Sequence, residues 1–170
     1  MLRQLQKRKE SGFTIIEVLI VLAIAGLIMV VVFLAVPALQ RSGRNNAMNT
    51  DANNILTAVG NYSSNNGGTL PASLNGAATA TPSGGIVTIG ATTGVNQETA
   101  KVDTGVSTVM LNGTTITSAS AAGTIQIVTG TAGTCDANGT GLGAAGSPRS
   151  YAVLYVAESG SGKILKCVGN

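Results

Sequence analysis

Very few side chains in this 170-residue sequence could carry chemistry. Histidine and tryptophan are absent, 10% of residues are charged, and Gly, Ala, Thr, Ser and Asn fill much of the chain after residue 60. Without histidine, no nucleophile and base pair and no metal-ligand set can be assembled convincingly, so the composition argues against an enzyme and against a resident metal or cofactor. Two features stand out instead. Glu17 is a carboxylate set among apolar residues, and inside a membrane-spanning helix it would cost roughly 2.5–3.5 kcal/mol even on lenient insertion scales. It needs a cationic partner, yet no Lys or Arg lies between Phe13 and Gln40. The second feature is Cys135 and Cys167, an even count downstream of an export-type segment, which suits an extracytoplasmic disulfide; two unpaired thiols are the alternative.

The elements that would position these residues follow from patterning. Residues 13–39 read FTIIEVLIVLAIAGLIMVVVFLAVPAL, and the 19 residues from Val18 to Val36 hold no charged or strongly polar side chain. At about 1.5 Å per residue that is enough to cross a bilayer, and soluble helices seldom stay apolar on every face for so long. The chain has a net charge of +3 and a mean hydropathy of +0.35. Its basicity is confined to the first 12 residues, where Arg3, Lys7, Arg8 and Lys9 face one acid, Glu10; beyond residue 12, six basic residues balance six acidic ones. By the positive-inside rule this places the N-terminus in the cytoplasm and the remainder outside.

After Pro37, Leu39, Met48, Ala52, Ile55, Leu56, Val59 and Tyr62 recur at helical spacing among polar residues, predicting one long helix over about residues 13–63. Gly26, Pro37 and Gly43 are points where it could bend or melt. Asn65, Asn66, Gly67 and Gly68 supply a stop. Beyond about residue 69, short β-prone runs are predicted at 86–89, 107–111, 114–117, 124–129, 151–157 and 163–168. In the fifth of these, Tyr151, Val153 and Tyr155 alternate with Ala152, Leu154 and Val156, giving two apolar faces and hence a strand covered on both sides. The Gly/Thr/Ala-rich stretch 76–146 admits three readings: a loose loop region, an added β-layer, or a surface that neighbouring subunits cover.

Ser11, Gly12, Phe13, Thr14, Ile15, Ile16, Glu17 and Val18 together resemble the processing site of type IV pilins and pseudopilins. In that family a short charged leader ends in Gly, followed by Phe, a small or polar residue, two apolar residues, Glu and an apolar helix. The resemblance covers residues 1 to about 63, including a glycine near Gly26 and a proline, here Pro37, later in the helix. It implies that prepilin peptidase cuts after Gly12 on the cytoplasmic side and that Phe13 becomes an N-methylated terminus. Cleavage would create the missing cation, because the new α-ammonium has a reference pKa of about 7.7–8.0. Glu17 of one subunit would then pair with Phe13 of the next, a head-to-tail contact that does not close on itself and so builds a filament. Snorkelling of Glu17, or pairing with Phe13 within one helix, is the alternative. Ala23, Ala25, Gly26 and Ala35 offer close-approach positions for packing such helices. In pilins a C-terminal cysteine pair staples a surface loop to the last strand; for Cys135 and Cys167 the alternative is a purely stabilising role.

Several weaker signals point nowhere. Gly160, Ser161, Gly162 and Lys163 resemble the end of a phosphate loop, but Ala157 and Ile164 occupy the positions that need Gly and Ser or Thr. Asp136, Asn138 and Thr140 echo a calcium loop without its terminal Glu, which fits a turn better. Tyr62, Tyr151 and Tyr155 have no basic groove beside them and read as core rather than as a nucleic-acid site.

The expected architecture is therefore α+β, a type IV pilin fold with a long N-terminal helix packed on a small antiparallel sheet. The expected organisation is a leader over 1–12, a hydrophobic transmembrane and polymerisation segment over 13–39, an amphipathic continuation over 40–66 and a β-rich domain over 67–170. The resemblance implies a helical homopolymer that starts in the inner membrane and ends as an extracellular filament, serving motility, adhesion or DNA uptake. Its expected partners are copies of itself, prepilin peptidase, an assembly ATPase and a platform protein. A pseudopilin of a secretion system is one alternative. Another is a membrane-anchored or secreted binding module cut near Val36, Pro37 and Ala38, although the apolar run exceeds the usual signal-peptide core.

Overall fold

The computed structural model describes residues 12–91, 96–103, 105–113, 115–160 and 162–169. The leader up to Ser11, Thr114 of the expected strand 114–117, and Ser161 lie outside the described residues. The chain divides between Leu39 and Gln40 into two compact units. One helix, α1 (Ile15–Asn65), contributes residues to both.

In the first unit α1 is apolar on every side and none of it is buried. Its large apolar side chains from Ile15 to Leu39 are between 40% (Val36) and 83% (Ile15) exposed. The most apolar 18-residue window has a mean hydropathy of 3.3, long and apolar enough to cross a membrane. The core helix of a soluble protein would bury such a stretch, and this one does not. The helix is unbroken at Gly26, Pro37 and Gly43. Proline deletes one backbone hydrogen bond, and good helix formers on both sides, Leu34 and Ala35 before it and Ala38 to Arg41 after it, carry the helix past.

In the second unit α1 becomes amphipathic, burying Met48, Asp51, Ala52, Ile55, Ala58 and Val59. It ends two residues later than the pattern predicts. Gly67 and Gly68 take left-handed φ values of 65° and 86°, and the Gly68 N–H donates to the Ser63 carbonyl at 2.7 Å. That six-to-one bond satisfies an end carbonyl of the helix, and only glycine adopts such φ values without strain.

A five-stranded sheet runs in the order β1 (Thr79–Ala80), β4 (Thr108–Leu111), β5 (Thr124–Thr129), β6 (Tyr151–Ser159), β7 (Gly162–Gly169). A two-stranded antiparallel sheet joins β2 (Ile86–Ile89) to β3 (Glu98–Lys101). The fold is thus α+β, a long helix on an antiparallel-rich sheet as in the type IV pilin fold. The antiparallel expectation needs one amendment, because β4 and β5 pair in parallel, joined by the crossover connection 112–123 that a parallel pair requires. The 76–146 stretch supplies β1 to β5: β1, β4 and β5 belong to the five-stranded sheet, and only β2 and β3 form a separate one.

Strand β6 is covered on both faces. Val153, Tyr155 and Ala157 pack with Ile125 and Ile127 of β5 against Ile55, Val59 and the apolar residues of β2 and β3. Ala152, Leu154 and Val156 pack on the other face with Val128, Cys167 and Ile116. The expected strand at 114–117 is not one: residues 115–117 are irregular. Instead of joining a ladder, the Ile116 N–H donates to Gln126 Oε1 at 2.8 Å, and Gln126 Nε2 donates to the Gly113 carbonyl at 3.1 Å. A fully buried glutamine on β5 thus takes over the role of a neighbouring strand. Strand β3 went unpredicted because Glu98–Lys101 buries only Ala100, and its extended form depends on pairing with β2.

Candidate assembly and processing site

Gly12, Phe13 and Thr14 precede the first helical turn in non-helical backbone, and all three are exposed. Helix α1 begins immediately after, and Thr14 with Glu17 explains why. The Thr14 N–H donates to Glu17 Oε2 at 2.9 Å, and the Glu17 N–H donates to Thr14 Oγ1 at 3.3 Å. The Thr14 hydroxyl also donates to Glu17 Oε2, at 2.7 Å. This is a reciprocal capping box, which satisfies two otherwise orphaned backbone donors. The signal was available in the sequence as Thr-x-x-Glu ahead of an apolar run, and reading Glu17 only as a buried charge missed it. Among the described residues, then, Glu17 has hydrogen-bond donors and no ion pair.

Gly26 has no atom within 4 Å of where a side chain would begin. Among the described residues nothing requires glycine there, where it costs a helix interior about 1 kcal/mol relative to alanine. Such a position lets another backbone approach closely.

The amphipathic half of α1 is fastened to the sheet at its start. Arg44 grips Glu158 in a two-pronged ion pair, with Nε to Oε1 at 2.8 Å and Nη2 to Oε2 at 2.6 Å. Hydrogen bonding from Arg44 lowers the Glu158 carboxyl below its usual range and raises the guanidinium. Arg41 Nη1 reaches the Gly160 carbonyl at 3.4 Å. The phosphate-loop echo therefore lies in the β6–β7 hairpin turn, followed by a strand where a nucleotide site needs a helix.

Cys135 and Cys167 form a disulfide, with Cα atoms 5.6 Å apart. It joins the loop after the short 3-10 helix (Gly130–Ala132) to β7. The Cys167 N–H also donates to the Gly139 carbonyl at 2.8 Å, so the loop covers part of the outer edge of that strand. Asp136 is not a calcium ligand in waiting. Its two carboxylate oxygens accept the Thr140 N–H and hydroxyl, both at 2.7 Å, and the hydroxyl bond is the main cause of its lowered pKa. Tyr155 is buried in the core, which raises its phenol, while Tyr62 and Tyr151 are half-buried against the same core. Among the described residues no group of three or more Cys, Asp or Glu side chains could hold a metal ion.

No curated protein and no solved structure matches the chain. Residues 7–33 match the family model described as the prokaryotic N-terminal methylation motif, the class III leader of type IV pilins and pseudopilins, and over that segment this chain is similar to those proteins.

Proposed function

We propose that this protein is a structural subunit that polymerises through residues 13–39 into a cell-surface filament of the type IV pilus kind. The observation that carries this reading is the wholly exposed apolar helix beginning directly at a prokaryotic N-terminal methylation motif. Lipid covers that surface while the subunit waits in the membrane, and other subunits must cover it afterwards. Prepilin peptidase cuts between Gly12 and Phe13, and Phe13 is N-methylated. Glu17 then exchanges the donors of Thr14 for the Phe13 ammonium of an adjacent subunit, which sets the register. Gly26 admits a neighbouring helix, and Gly26 and Pro37 are where α1 yields to packing. An assembly ATPase and a platform protein drive extrusion, and the filament serves motility, adhesion or DNA uptake.

The intact mass and N-terminal peptide of native protein from sheared surface material test this. A chain that begins at methylated Phe13 and sediments as filaments is expected. A start near Leu39 would make it a secreted module, and an intact leader would make it a simple membrane anchor; either would sink the proposal. With processing normal, Glu17→Ala is expected to accumulate in the membrane and to be depleted at least tenfold from filaments. Wild-type incorporation of that variant would remove Glu17 from the register role.

A further inference from the structure

Three cations surround the carboxylate of Glu158. Arg44 holds it directly, and the charges of Arg41 and Lys163 also favour its ionised form, so both stand near it. Lys163 is the cross-strand partner of Glu158, which puts the two side chains on one face of the sheet. Arg41 Nη1 reaches the Gly160 carbonyl at 3.4 Å, using one of the five donors of a guanidinium. Lys163 is exposed, and its Nζ donates to the Ser120 carbonyl at 3.0 Å, using one of three. Among the described residues neither Arg41 nor Lys163 has an ion-pair partner. Three positive charges against one carboxylate leave the cluster strongly positive.

Its place along the chain says what it faces. Arg41 is two residues beyond Leu39, so its Cα lies within about 8 Å of the Leu39 Cα however the chain turns there. The headgroup layer on each side of a bilayer is about 5–8 Å thick. With residues 13–39 in the bilayer before assembly, Arg41 and the groups beside it stand against the headgroups.

We propose that Arg41 and Lys163 bind the phosphate of an anionic phospholipid headgroup in the outward-facing leaflet of the membrane that the subunit occupies before assembly. This rests on residues 13–39 lying in that membrane. A guanidinium offers phosphate two parallel donors, and an ammonium adds a compact point charge. Arg44 takes no direct part, because both of its prongs are on Glu158; its role is to offset that carboxylate. Each cation beside an anionic surface strengthens attachment about fivefold at physiological salt. Two of them make a contact that extraction of the subunit into a filament can break.

The test measures acetylation of lysines by N-hydroxysuccinimidyl acetate, read by mass spectrometry, on the full chain in lipid nanodiscs, where both membrane faces are open to reagent. Discs of phosphatidylcholine are compared with discs containing about 30% phosphatidylglycerol, and acetylation of Lys163 is expected to be about fivefold slower in the anionic discs. Sodium chloride at about 0.5 M should abolish the difference. Lys101 is the internal reference and should not change, because its carbonyl is bonded to Asn54, about 20 Å further along α1 than Arg41. Arg41→Gln should cut the protection of Lys163 to about twofold or less. A chain that fails to enter neutral discs would sink the membrane reading and this inference with it. A chain that enters them but shows equal Lys163 reactivity in both lipids, or protection indifferent to Arg41→Gln, would overturn the lipid contact alone. Protection by millimolar inorganic phosphate in neutral discs would also overturn it, since the cluster would then be a site for a free anion.

Discussion

Asn45 and Glu158 form a reciprocal pair: Asn45 Nδ2 donates to the Glu158 carbonyl at 2.7 Å, and the Glu158 N–H donates to Asn45 Oδ1 at the same distance. The reason lies in strand lengths. The last β5–β6 pair joins Ile125 to Tyr155, so Glu158 lies beyond the reach of β5 and its backbone would lack a partner on that edge. The side-chain amide of α1 acts as a substitute residue of β5. Replacing Asn45 with Ala should therefore cost about 1–3 kcal/mol, the penalty for leaving half-buried backbone groups unpaired. Glu158→Gln removes only the exposed ion pair to Arg44 and should cost less than about 1 kcal/mol. Urea midpoints of the two variants check the order; the reverse order would mean that the ion pair, and not the amide, fastens the helix.

Gln126 should be similarly sensitive. It is 1% exposed and holds the connection 112–117 through Ile116 and Gly113. Gln126→Leu fills the space but strands the Ile116 N–H and the Gly113 carbonyl, at an expected cost of about 1–3 kcal/mol. Limited proteolysis should show new cleavage between residues 112 and 120 in the variant. A cleavage pattern identical to wild type would show that the connection is held by packing alone.

Reduction of Cys135–Cys167 releases a crosslink that spans a sequence separation of 32. The chain-entropy model gives such a loop roughly 3–4 kcal/mol. The thermal midpoint of the paired Cys135→Ser, Cys167→Ser variant should fall accordingly, with proteolysis concentrated at 135–142. A midpoint equal to that of wild type would restrict the bond to shaping the surface loop.

The pH dependence of stability carries the signature of Asp51. Burial, with the charge of Asp103 beside it, raises the folded carboxyl above its ordinary value, and the bond from the Asp103 N–H opposes this only in part. Between the two values the folded chain binds more protons than the unfolded one, so stability falls as pH rises through that window. Glu158 works the other way: its carboxyl is lowered, and its contribution is lost as pH falls through the folded value. The Asp51 share is isolated by comparing wild type with Asp51→Asn across pH. Wild type should lose stability relative to the variant as pH rises, and parallel curves would refute the raised carboxyl.

Much of this protein follows from local pattern. Nineteen uninterrupted apolar residues give a helix long and apolar enough to cross a membrane, and Gly12, Phe13 and Glu17 at their spacing carry the resemblance to the pilin processing site whatever the rest of the chain does. The strands at 86–89 and 124–129 were legible because β-branched residues cluster there, and the two apolar faces of β6 because side chains alternate in a strand. Tertiary structure alone decided that Glu98–Lys101 is extended, that β4 and β5 run parallel, and that residues 115–117 rest on a glutamine side chain. It alone set Asn45 beside Glu158 and Asp51 beside Asp103, residues far apart in sequence. A hydrogen-bonding side chain advertises its chemistry in the sequence but not its partner, because the partner is chosen only when the apolar faces around it have closed.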